Sequence, residues 1–221
     1  MRPIIFEGSN LEFVSCYDGI NHSIWNTITG PMLPLRAAIR EHYIREQGYK
    51  CAYCRQIKRE THGSSWDVEH IIAKSEHPRF LFEPENLALV CKECNLSKSN
   101  KDVLTKRLRE KSPYPRDKES FSIIHPHYDT YSDHMDISIL SGKIIFIPKN
   151  KHKGRETFDM CNLVRFSYEY GGWDSFNYGL TKEVSNFLKN CPANATPQKI
   201  SELLGFLNTT VDSSFSEEIS T

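Results

Sequence analysis

The chain reads as an α+β protein built on a short ββα unit, with an amphipathic helix before the unit and a β-hairpin with helices after it. Three observations predict this. Cys51-x-x-Cys54 and Cys91-x-x-Cys94 repeat one spacing. Apolar runs of strand length, at 66–72 and 87–90, lie between the two pairs. The run PLRAAIREHYIREQ sets Leu35, Ala38, Ile39 and Tyr43 at helical spacing.

Each element follows in order. Residues 1–33 read as an irregular N-terminal segment, with Gly8, Gly19 and Gly30 as breaks. Pro34 suits the first turn of a helix, and Gly48 ends that helix just before the first cysteine pair. WDVEHIIAK is the first strand candidate, and LALV, running into Cys91, is the second. NLSKSNKDVLTKRLREK is basic and helix-compatible, and it closes a core spanning residues 34–112. Residues 113–208 hold a hairpin, MDISILSGKIIFIP, turning at Ser141-Gly142. Helix-like segments follow near 156–170, 174–189 and 197–208, and 209–221 reads as a disordered tail.

Twenty-eight basic residues balance 28 acidic ones, which argues against a nucleic-acid binder that uses its whole surface but permits a local basic stripe. No apolar run approaches the roughly 20 residues of a membrane span, and MRPIIFEGSN lacks a signal-peptide core, so a cytoplasmic location is expected. In a reducing compartment, paired CxxC motifs are metal ligands rather than disulfides. Cys51, Cys54, Cys91 and Cys94 therefore read as a structural Zn2+ site of four thiolates. A redox CxxC is the competing reading, and no βαβ pattern surrounds either pair.

Between and beside the pairs stand Glu69-His70, Asn86 and Asn95, in the order strand, strand, helix. Over about residues 50–101, VEHIIAKSEHPRFLFEPENLALVCKECNLSKSNK with CAYC upstream resembles the HNH endonuclease family. The resemblance implies a ββα-metal HNH core and hydrolysis of phosphodiester bonds. It makes His70 the general base, Asn86 the residue that braces the loop and orients that base, and Glu69 with Asn95 the ligands of a catalytic cation. Oxygen donors suit Mg2+, or Mn2+ as an alternative, and an imidazole suits proton abstraction at neutral pH. Glu69 and His70 point to opposite faces of a regular strand, so the strand must end or bulge there. Asp67 shares the face of Glu69 and is either a ligand itself or a group behind one.

Each of these residues has a plainer reading: His70 a core histidine, Asn86 turn chemistry after Pro84, Asn95 a helix cap. Lys98, Lys101, Lys106 and Arg107 read as a stripe that tracks phosphates, against a merely solvated helix face. His125, His127, Asp129 and His134 form a weaker candidate for a second metal site.

Scattered similarity extends to the HNH subunit of Septu-type anti-phage systems. That implies nucleic acid as substrate, DNA favoured over RNA, and an ATPase as protein partner. Two other readings stay open: a zinc-ribbon adaptor without catalysis, and an autonomous restriction-type nuclease.

Overall fold

A computed structural model describes residues 1–140, 143–149 and 152–167. The expected turn at Ser141-Gly142, the helices at 174–189 and 197–208, and the tail lie outside the described residues. The chain divides into two units, Met1–Tyr131 with Met160–Asn162, and Ser132–Asp159 with the residues from Leu163 onward.

The first unit carries the predicted ββα core. Helix α1 (Gly8–Ser15) lies in the segment where periodicity gave no signal; it buries no residue, so no apolar stripe marks it. Helix α2 (Met32–Glu46) buries Met32, Leu35, Ile39, Tyr43 and Ile44, one face of the helix. Gly48 follows its C-terminal cap at φ 57°, where glycine has no Cβ penalty. Strand β1 (Trp66–His70) pairs antiparallel with β2 (Leu87–Cys91), Trp66 opposite Cys91 and His70 opposite Leu87. All of β2 is buried, which is why LALV is an unbroken apolar run rather than an alternating one. Each Leu or Val side chain of β2 removed from water contributes about 1.5–3 kcal/mol.

Gln47 ties α2 to the hairpin. Its amide donates to Leu89 O at 2.8 Å and accepts from Leu89 N at 2.7 Å, pairing with β2 as an added strand would. Ala52 N also donates to Leu89 O, at 3.0 Å, which seats the first cysteine pair beside β2.

Helix α3 (Lys92–Lys98) follows β2 directly. It ends where Ser99 turns to φ 51°, so the basic run beyond it is not the longer helix its composition allows. That stretch is pinned instead by a bridge between Leu104 and Phe121 and by Ser122 N donating to Val103 O. Residues 113–125 belong to the first unit: Tyr114 hydroxyl donates to Glu85 O, and Arg116 pairs with Glu83 and Glu85.

After the short helix α4 (Tyr131–His134), the second unit holds the expected hairpin, β3 (Met135–Leu140) against β4 (Lys143–Pro148), antiparallel with Met135 opposite Pro148. Helix α5 (Lys153–Met160) follows, and Leu163–Ser167 is a 3-10 turn. Gly154 is dictated by close approach, since a Cβ there would meet His134 O at 2.2 Å. No helix among the described residues is long and apolar enough to cross a membrane.

Candidate active site

The end of β1 decides the geometry. The chain leaves the ladder after His70, with Ile71 N donating to Asn86 O and Ile72 N to Asn86 Oδ1 at 2.7 Å. Asn86 is wholly buried, and its Nδ2 donates to Ile72 O and Phe80 O, both at 3.1 Å. Every polar atom of that side chain is used in holding the loop. Because the strand stops here, Glu69 and His70 both line one open cleft of about 680 Å³, together with Asp67 and Asn95.

His70 is buried and held from two sides. Its ring meets Trp25 edge-on, with centroids 4.4 Å apart, and Nε2 lies 3.1 Å from Leu81 O. A carbonyl oxygen only accepts, so Nε2 carries the proton and Nδ1 keeps its lone pair. Burial, with the charge of Lys74 behind it, lowers the imidazole to about 3 despite the hydrogen bond to Leu81. His70 is therefore neutral at neutral pH, the form a proton acceptor requires.

Glu69 sits deeper than a strand-edge ligand need be. Its Oε1 is 2.6 Å from Lys98 Nζ, both side chains being almost wholly buried, and it accepts from the Tyr53 hydroxyl at 3.2 Å. Burial raises the carboxyl, while Lys98 and Tyr53 pull it back down. Asn95 turns to the neighbouring acid: its Nδ2 donates to Asp67 Oδ2 at 2.8 Å, and Lys92 ion-pairs with Asp67 Oδ1. Asp67, Glu69 and Asn95 all line the cleft and carry oxygen donors, a set whose chemistry fits a hard divalent cation.

The four paired cysteines converge as the sequence predicts. Their sulfurs all lie within 4.8 Å of one another, buried and unlinked, and Cys54 Sγ is 3.8 Å from Cys91 Sγ. A tetrahedral zinc with bonds of about 2.3 Å spaces its sulfurs by about 3.8 Å, so the cluster fits that ion. Cys161, distant in sequence from both pairs, packs here too, and its hydrogen bond to Cys94 is the largest influence lowering that thiol to about 4.

The basic stripe is not where the composition placed it. Lys98 is fully buried against Glu69, and Lys101 Nζ donates to Met160 O at 3.1 Å. Lys106 and Arg107 are exposed, with Arg107 at a separate depression beside His77 and Arg79. His125 and His127 serve the core instead of a second metal. His125 Nε2 meets the Tyr114 hydroxyl at 2.9 Å, His125 N donates to Asp129 Oδ2 at 2.8 Å, and His127 Nε2 meets Leu87 O at 2.9 Å. Among the described residues, the four cysteines are the group gathered tightly enough to hold a metal by histidine, thiolate and carboxylate donors.

Two antiparallel strands followed directly by a helix, with four clustered cysteines beside them, make a ββα unit. In comparison with known proteins, the family model for HNH endonuclease matches residues 51–101 of the chain. No curated protein and no solved structure matches the chain.

Sequence reasoning missed one participant outright and the partners of two others. Trp25, from the segment read as irregular, walls His70. Lys98 pairs with Glu69, and their separation in sequence hides the contact. Asp67 was weighed, but its bond to Asn95 has no sequence signal.

Proposed function

We propose that the chain is a metal-dependent endonuclease that hydrolyses phosphodiester bonds in nucleic acid, with His70 as general base. The observation that carries this reading is the fixed tautomer of His70: Nε2 is engaged by Leu81 O, and Nδ1 is left to accept a proton in the cleft that also holds Asp67, Glu69 and Asn95. Glu69 and Asn95 would hold Mg2+ or Mn2+, with Asp67 beside them. The bound cation supplies charge relief at a phosphate oxygen and at the leaving oxygen.

The remaining work falls to the chain itself. Nδ1 of His70 takes the proton of an attacking water. Trp25 and Leu81 fix the ring, and Asn86 fixes the loop after it. The low basicity of His70 reflects burial of the ring and the charge of Lys74, and a phosphate anion in the cleft would favour the imidazolium.

On this reading DNA is the favoured substrate. The balanced charge, 28 against 28, supports a second protein supplying part of the nucleic-acid affinity. Resemblance to Septu-type subunits makes that partner an ATPase in an anti-phage complex.

Nicking of supercoiled plasmid by purified, zinc-loaded chain, alone and with a co-purified partner, tests the reading. Mg2+- or Mn2+-dependent nicking that His70→Ala abolishes is expected. Nicking that survives in a folded His70→Ala protein overturns the role of the base.

A further inference from the structure

The cleft also carries charge that is not accounted for by catalysis. Besides Asp67, Glu69 and Asn95, the cleft is lined by Trp25, Arg36, Arg40 and Lys74. The acids already have cationic partners, Lys92 for Asp67 and Lys98 for Glu69. Among the described residues, the cations Arg36, Arg40 and Lys74 have no ion pair of the reverse kind. Arg36 donates to the carbonyls of Trp25, at 3.0 Å, and Thr27, at 2.8 Å, which fixes the guanidinium without neutralising it. Arg40 rests on the loop before β1, where a Cβ on Gly63 would lie 3.2 Å from its Nη1. Among the described residues, neither arginine nor Lys74 meets a carboxylate at ion-pair distance.

Arg36 and Arg40 are one turn apart on α2, with about 5–6 Å between their Cβ atoms, both half-buried and both opening on the cleft. A half-buried guanidinium in a cleft with low-dielectric walls exerts a stronger field than a surface lysine. Its planar donors also match phosphate oxygens two at a time. The stripe expected at Lys98, Lys101, Lys106 and Arg107 is partly spent on internal contacts, so among the described residues the cations without an ion-pair partner beside the proposed catalytic groups lie here.

We infer that Arg36 and Arg40, with Lys74, form a phosphate-binding rail that grips the substrate strand beside the scissile bond. The rail lies outside residues 51–101 apart from Lys74, and the inference rests on the nuclease reading above. The ligand class is a polynucleotide backbone. Adjacent phosphates of one strand meet successive arginines of α2 while the scissile phosphate faces His70.

Salt-dependent affinity for a fluorescent oligonucleotide duplex tests this. Measurements use full-length, zinc-loaded His70→Ala protein in Mg2+, so that binding is read without cutting. Adding Arg40→Ala is expected to weaken binding and to reduce the slope of log K against log salt by about 1, the loss of one phosphate contact. Arg40→Glu should weaken it further, and Arg40→Lys should restore most of the slope. Arg45→Ala, on the same helix but paired with Glu41 outside the cleft, should leave the slope alone.

Thermal unfolding of each variant separates lost contact from lost fold. An unchanged slope in folded Arg40→Ala and Arg40→Glu proteins overturns the rail, and so does a parent chain that does not bind the duplex. Wild-type cleavage is scored separately. Cleavage with an unchanged slope leaves the nuclease standing without the rail, whereas a reduced slope without cleavage leaves the rail standing and removes the catalytic reading.

Discussion

Lys98 and Glu69 are locked together beneath the cleft, Nζ to Oε1 at 2.6 Å, with side-chain exposures of 0% and 5%. Lys98 Nζ also lies 3.3 Å from His70 O, so one ammonium braces the backbone of the proposed base and the carboxylate before it. Such a pair repays its desolvation only while both partners are present. Lys98→Met is therefore expected to cost about 3–5 kcal/mol, because Glu69 is left buried and unpaired. Lys98→Met with Glu69→Leu should recover most of that loss. Urea unfolding of the single and double variants decides it, and a single-variant cost under about 1 kcal/mol would show the pair to be loose in solution.

Asn86 makes a sharper case, since it touches no group of the cleft and acts through the loop. Asn86→Ala removes the acceptor for Ile72 N and the donor to two carbonyls. Leaving a buried amide unsatisfied costs about 1–3 kcal/mol, and the cavity adds to that. Asn86→Asp keeps the acceptor but sets a carboxylate against Ile72 O and Phe80 O, so it should be no milder. Activity should fall in both variants while substrate KM changes little, as read from steady-state kinetics at a temperature where both are folded.

Metal content separates the five clustered thiols. One zinc per chain is expected by elemental analysis. Cys54→Ser should lose it, and Cys161→Ser should keep it, because Cys161 contacts Cys94 without joining the mutually close four. Structural zinc contributes about 10–16 kcal/mol of apparent binding free energy in small knuckles. A strong chelator should accordingly lower the melting temperature of the wild type and leave Cys54→Ser unmoved.

How much of this was legible in the sequence depended on whether the signal was local. Identical spacing exposed the four cysteines, an unbroken apolar run exposed β2, and a helical period exposed α2. Helix α1 buries nothing and so carried no pattern. The basic run after Cys94 misled because composition does not reveal partners. Lys98 looks like its neighbours until the fold carries it next to Glu69. Arg36 and Arg40 fall between the apolar positions of α2 and carry no sequence signal of their own, and their cleft arises only when α2 packs beside β1. Of the candidate site, the residue types were legible, whereas the tautomer of His70 and the turn of Asn95 toward Asp67 depend on Leu81 and Asp67 being placed by tertiary structure.

Acid should destabilise the first unit through its neutral histidines. His70 is lowered to about 3, and burial also lowers His127. With an unfolded value near 6.5, the unfolded chain binds protons that the folded one refuses as pH falls below 6.5. Their stabilisation is thus complete above pH 6.5, declines below it, and for His70 is exhausted near pH 3. At pH 5 the His70 share amounts to roughly 2 kcal/mol. Urea midpoints at pH 7.5 and 5.0 in excess zinc, for wild type and His70→Asn, read it out. The variant should lose less stability over that interval, and equal losses would mean that His70 is not held neutral in the folded protein.

The oxygen donors can be ranked by the partners they must share. Glu69 is held by Lys98 and Tyr53, whereas Asn95, which also lines the cleft, commits only its Nδ2, to Asp67. A cation seated by Asn95 therefore has Asp67 adjacent and Glu69 reachable only by sharing its charge with Lys98. Asn95→Ala is expected to weaken Mn2+ binding, measured by the electron-paramagnetic signal of free Mn2+, by at least tenfold. Asp67→Asn should weaken it as well, since a carboxylate is lost next to the ion. Glu69→Gln gives the decisive contrast. A loss as large as that of Asn95→Ala makes Glu69 a direct ligand despite Lys98, while unchanged affinity assigns the carboxylate role to Asp67 and leaves Glu69 to hold Lys98 beneath His70.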